Sequence, residues 1–115
     1  MANPEHVARI REGVASWNLW RSQEEVEPDL SRADLAGANL QGANMEVTLL
    51  RNATLIGSNL RFSRLLGADL CDSDLTKANL QEADLRAACL VRAALSRNSW
   101  SRRIDGHSEK CVVFG

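Results

Sequence analysis

From Pro28 to Arg102 the hydrophobic pattern has a period of five. Leucine or a large apolar substitute recurs at Leu30, Leu35, Leu40, Met45, Leu50, Leu55, Leu60, Leu65, Leu70, Leu75, Leu80, Leu85, Leu90, Leu95 and finally Trp100. On an α-helix a five-residue step rotates each side chain by about 140°, so these positions form no stripe. In a straight strand an odd step sends successive leucines to opposite faces. The pattern therefore predicts a chain that bends once per repeat and points every leucine at a common axis, a solenoid. The residue two before each leucine is small almost throughout (Ala33, Ala38, Ala43, Thr48, Ala53, Ser58, Ser63, Ala68, Ser73, Ala78, Ala83, Ala88, Ala93) and shares the inward face. The residue between them points outward and is polar in most repeats, as at Asp34, Asn39, Asn59, Asp69, Asn79 and Asp84.

Ala33-Asp34-Leu35, Ala38-Asn39-Leu40, Ala68-Asp69-Leu70, Ala78-Asn79-Leu80 and Ala83-Asp84-Leu85 carry a resemblance to the pentapeptide repeat proteins, whose consensus is Ala-(Asp or Asn)-Leu and two variable residues. Fifteen tandem units in one register make the resemblance specific. It implies an all-β solenoid: a right-handed quadrilateral parallel β-helix with one repeat per side and four per coil, hence about four coils. The chain also resembles the N-terminal part of longer bacterial multidomain proteins.

Four repeats per coil would stack residues twenty apart at the spacing of neighbouring strands, about 4.8 Å. Asn39, Asn59 and Asn79 would then form an amide column, and Arg64 over Asp84 and Asp72 over Arg92 would be opposite-charge neighbours. Several outward positions break the polar pattern: Val47, Leu49, Ile56, Phe62, Leu66 and Val91. Val47, Leu49 and Leu66 are expected near one edge. With Phe62 and the terminal Val112, Val113 and Phe114 they form the candidate interaction surface; the plain alternatives are scattered surface residues or cover by a terminal segment.

A solenoid exposes core and unpaired strand at each end. Residues 1–27 read as an N-terminal helical cap: Asn3 as N-cap, Pro4 at the first helical position, then Val7, Ile10, Val14 and Trp17 at helical spacing. Gly13 divides the run, leaving a second helix with Trp17, Leu19 and Trp20. A membrane-surface or partner-binding helix is the competing reading of that apolar face. The solenoid spans 28–102. In residues 103–115 the register is lost, and Cys111-Val112-Val113-Phe114 reads as a last strand, a dimer contact or the start of a further segment.

Composition removes several functions. The chain of 115 residues carries 14 basic and 15 acidic side chains, and the repeats carry eight acids against nine bases, so direct nucleic-acid binding is not expected. No signal pattern or apolar run of membrane length occurs, which points to the cytoplasm and away from membranes. Cys71, Cys89 and Cys111 lack metal-type spacing and read as free thiols in a reducing compartment. His6 and His107 stand apart, and Asp105, His107 and Cys111 share one short tail, a poor frame for catalysis. No catalytic, cofactor-binding or metal residues are assigned, and no cofactor is expected.

The expected function is a non-catalytic structural module: a rigid scaffold for a protein partner of unknown identity, with a homodimer through the C-terminal end as one form. The resemblance supplies an alternative, since some pentapeptide repeat proteins mimic duplex DNA and bind type II topoisomerases such as gyrase. Duplex DNA carries one negative charge per about 1.7 Å of axis, a field this balanced charge does not reproduce.

Overall fold

The computed structural model describes residues 2–97 and 99, and those residues confirm a twenty-residue coil. Parallel bridges join positions twenty apart in four columns: Asp29, Leu49, Asp69 and Cys89; Asp34, Thr54, Asp74 and Ala94; Asn39, Asn59, Asn79 and Ser99; Asn44, Arg64 and Asp84. Each column is one side, three residues long and centred on the outward residue. Leu30, Leu50, Leu55, Leu60, Leu65, Leu70, Leu75, Leu80, Leu85 and Leu90 are completely buried, as is Met45, and the small residues beside them line the same core. Leu95 is only partly buried against that core, and Trp100 lies outside the described residues.

Backbone hydrogen bonding explains the five-residue unit. In the repeat 58–62 the N–H of Ser58 closes the corner on Leu55 O, that of Asn59 reaches Ala38 O of the preceding coil, and those of Leu60 and Phe62 reach Asn79 O and Gln81 O of the next. The fifth N–H, of Arg61, is taken by the Asn59 side chain at 3.1 Å. The same turn, from a carboxylate or amide oxygen to the N–H two residues on, recurs at Asp29, Asp34, Asn39, Asn44, Asp69, Asp74, Asn79 and Asp84. Asp and Asn occupy the middle of the repeat because their short polar side chains make this bond. The last residue of each repeat holds positive φ, as a tight corner of this kind requires. Gly37, Gly42, Gly57 and Gly67 suit that conformation, whereas Val47 (φ 57°) and Phe62 (φ 58°) adopt it at a steric cost.

Two helices precede the coils. In α1 (Pro4–Arg11) the Asn3 side chain accepts from Glu5 N–H at 2.9 Å, the expected N-cap. Gly13, at φ 122°, turns the chain into α2 (Val14–Gln23). Ile10, Trp17 and Trp20 are buried and Val7 and Val14 pack on the core, but Leu19 is 60% exposed and takes no part in that face.

The helices also answer the open backbone of the first coil. Asp29 N–H donates to His6 Nδ1 (3.0 Å), and Asn3 N–H donates to Asp29 O (3.0 Å). Arg11 donates to Asp34 O at 3.1 Å. Asn18 accepts from Asn44 N–H at 2.7 Å, while Trp17 Nε1 donates to Asn44 O at 2.7 Å. Three of the four sides therefore have side-chain or backbone partners in place of a preceding coil.

Candidate functional site

The outward surface consists of four sides and four corners, and several of its charges pair with each other. Arg92 clamps Asp72 one coil below with bonds of 2.6 and 2.9 Å, as expected for that column. Arg64 does not pair with Asp84. Its guanidinium reaches back to Glu46, and Asp84 is held by Arg86 within its own repeat at 2.7 Å. The link from Arg64 to the corner that follows its side, one coil back, satisfies Glu46, and the local Arg86 fork already covers Asp84. These pairs are open to solvent, where screening leaves them little weight in stability. The amide column is realised between Asn59 and Asn39 at 3.4 Å, but Asn59 bonds Gln41 more closely, at 3.1 Å, and Asn79 serves its own corner.

The expected interaction surface is divided by this geometry. Val47 and Leu66 share one corner: Val47 N–H donates to Leu66 O at 2.9 Å, and Val47 Cγ2 lies over Gly67. Leu49 sits on the following side, half-buried between Asp29 and Asp69. Phe62 belongs to the preceding corner, across the side that carries Arg64. Val47 is 50% and Phe62 49% exposed, and Arg61 lies 5.3 Å from the Phe62 ring. Ile56 is exposed at a corner of its own. Val112, Val113 and Phe114 lie outside the described residues.

The fold also assembles a group that linear spacing concealed. Cys71, buried, and Cys89, half-buried, bring their sulfurs to 2.8 Å, and Asp69 completes a cluster whose reactive atoms lie within 4.8 Å of one another. A separation of eighteen residues becomes a diagonal contact once the coil contains twenty, and that period was available in the sequence. Burial, followed by hydrogen bonds with Cys89 and Asp69, pushes the Cys71 thiol up to about 12. Burial also works against ionised Asp69, but hydrogen bonds from Cys71 and Arg51 outweigh it and hold the carboxyl below its usual range. Asp72 is likewise lowered, first by its hydrogen bond from Arg92. No histidine joins these groups among the described residues; His6 is engaged with Asp29 and packs at a tilt against Trp20, with ring centroids 5.0 Å apart. Asp105, His107 and Cys111 lie outside the described residues.

Between the helices and the first coil an open cavity of about 410 Å³ is lined by Ile10, Val14, Leu35, Ala38 and Leu40, with Arg11 at its margin. It contains no converging titratable groups. No helix among the described residues is long and apolar enough to cross a membrane.

A chain of side-by-side parallel coils built from Ala-(Asp or Asn)-Leu units defines a repeat solenoid. The pentapeptide-repeat pattern matches residues 29–65 and 55–91 in eight copies, more than half of the chain. The protein belongs to the pentapeptide repeat family, whose members fold as right-handed quadrilateral β-helices and are generally non-catalytic scaffolds. Among solved structures it is similar to a pentapeptide repeat protein from the thylakoid lumen of Arabidopsis thaliana, at 26% identity and a TM-score of 0.56. That match covers 65% of this chain and 61% of the other, so the chain spans less than two thirds of its relative. A pentapeptide repeat protein from Nostoc Pcc 7120 is 28% identical over 76% of this chain and 83% of its own, with a TM-score of 0.43. None of the curated proteins matches the chain.

Proposed function

We propose that the protein is a rigid, non-catalytic interaction module. In this reading residues 1–27 cap a solenoid of about four coils over 28–102, residues 103–115 form a tail, and the corners engage a protein partner. The observation that carries it is the pair of apolar corner residues Val47 and Phe62. Each is about half exposed and each occupies positive φ, while glycine holds the equivalent place one coil away at Gly67 and Gly42. A left-handed conformation costs a residue with a Cβ about 1 to 2 kcal/mol, and more for a β-branched valine. Every corner holds positive φ, so the conformation belongs to the frame; Val47 and Phe62 stand out because they place a large, half-exposed apolar side chain where the same corner one coil away has glycine, which suits a contact surface.

The family's DNA-mimicking mode is disfavoured. Glu46, Asp69, Asp72 and Asp84 each meet an arginine, so the acidic field such mimicry needs is cancelled locally. The test compares the wild-type chain with Val47→Gly/Phe62→Gly. The variant should melt no lower than wild type yet lose the proteins that the wild-type chain captures reproducibly from cell extract. Identical capture by both would refute the assignment, and inhibition of gyrase supercoiling that weakens with added salt would replace it with the mimic. Light scattering separately reads the homodimer; an assembly that survives removal of residues 103–115 would rule out that tail as its contact.

A further inference from the structure

We propose that Cys71 and Cys89 form a reversible oxidation site, closing to a disulfide that staples two successive coils when the protein meets a small-molecule disulfide. Their sulfurs are 2.8 Å apart, so closure to a bond of about 2.05 Å needs a displacement of less than one ångström. The two residues lie in neighbouring coils whose backbones are already locked together by Leu70 N–H to Cys89 O and Asp72 N–H to Val91 O, at 2.8 and 2.9 Å. Arg92 and Asp72 clamp the same corner. The pair is therefore held in register before any chemistry occurs.

A metal ion is the competing use of this cluster, and its third ligand is already committed. Asp69 Oδ1 accepts from Cys71 N–H at 3.1 Å, and Oδ2 accepts from Arg51 Nε at 2.6 Å. A cation would have to displace that guanidinium or share the carboxylate with it, against Coulomb repulsion. A neutral disulfide makes no such demand.

Accessibility sets the order of events. Cys89 is half-buried and reachable, whereas Cys71 is 3% exposed and its thiol resists ionisation. The Cys89 thiolate attacks one sulfur of the external disulfide, whose S–S bond breaks and releases one thiol. Cys71 then loses its proton and attacks the Cys89 sulfur of the mixed disulfide, expelling the second thiol. Two protein thiols are oxidised, the external disulfide is reduced, and both protons end on the two released thiols.

The experiment incubates the folded chain with oxidised glutathione, quenches with acid, and maps tryptic peptides by mass. Cys71 lies in peptide 65–77 and Cys89 in peptide 87–92, so the staple appears as those two peptides joined and two hydrogens lighter than their sum. The expected result is the loss of two thiols per chain, a higher melting temperature and full reversal by dithiothreitol. In Cys71→Ser, glutathione should remain attached to Cys89. In Cys89→Ser, Cys71 should stay unmodified while the chain is folded. Persistent glutathione on Cys89 of the wild type, linkage of either residue to Cys111, or no reaction would overturn the proposal. So would stoichiometric uptake of zinc that blocks the oxidation.

Discussion

Leu60→Ala and Ser58→Ala change two inward side chains of the same repeat that are equally hidden, at 0% and 1% exposure, and they should shift stability in opposite directions. Leu60 contributes apolar volume to a core whose backbone cannot close around a void, because Leu60 N–H is bonded to Asn79 O and Asn59 N–H to Ala38 O. Removing three carbons costs about 2.4 kcal/mol at roughly 0.8 per carbon, and the unfilled cavity moves the total toward the upper part of a range of about 2 to 5 kcal/mol. Ser58 is different. Its neighbours Ser63 and Ser73 donate to Leu60 O and Leu70 O at 2.7 Å, but the buried Ser58 Oγ has no hydrogen-bond partner. Replacing it with alanine removes an uncompensated polar atom and should stabilise the chain by about 1 kcal/mol. Urea denaturation followed by circular dichroism reads both, with Ser63→Ala as a control expected to be neutral or mildly destabilising. Destabilisation of similar size in Leu60→Ala and Ser58→Ala would refute the reasoning, since burial alone would then determine the cost.

Thr54→Asn should raise the urea midpoint, by about 0.5 to 1 kcal/mol, because Thr54 holds the middle of a repeat without the side-chain bond that Asn59 makes to Arg61 N–H; an unchanged midpoint would count against that corner bond. Asp29, Asp69 and Asp72 have folded carboxyl groups below their ordinary values. Their stabilisation is therefore complete above the unfolded pKa of about 3.9 and disappears as pH falls through the lower folded values, so melting temperature should be nearly level above about pH 5 and drop in stronger acid. Asp69→Asn, which keeps an accepting oxygen for Cys71 N–H, should flatten part of that drop. Removing residues 2–24 takes away the partners of Asp29, Asp34 and Asn44 and should produce association through the bared edge, read by light scattering; a monomer with unchanged melting would show the helices to be an appendage.

The inward positions were legible because the core imposes one demand, a large apolar side chain at a fixed interval, and Leu60 or Leu75 meets it without reference to any neighbour. The middle Asp and Asn were legible only as outward polar residues. Their partner is the backbone two residues on, a contact that sorting side chains by face does not register, so Asn59 looked like a column member before it looked like a corner support. Long flexible side chains escaped for another reason: Arg64 can reach Glu46 diagonally as readily as Asp84 directly, and stacking alone does not choose. Twenty-residue stacking placed Val47 beside Leu66, and they share a corner, whereas Phe62 was grouped with them only as another outward apolar residue, and an intervening side carrying Arg64 separates it from them. His6 gave no signal, since its partner Asp29 N–H is open only at the first coil.

The twenty-residue ladder makes the interior and exterior respond differently to insertions and deletions. Adding one five-residue unit would leave every leucine pointing inward and every corner able to close, so the core would accept it. All downstream outward residues would nevertheless advance by one side. Placed between Asp72 and Arg92, such an insertion would part that ion pair and carry Cys89 away from Cys71 while the hydrogen-bonded frame stayed intact. Four added units would restore every column at greater length. A lineage built on this frame can thus rearrange its surface in discrete quarter-turns by copying or losing repeats, a route to new faces that point substitution in a conventional globular core does not offer.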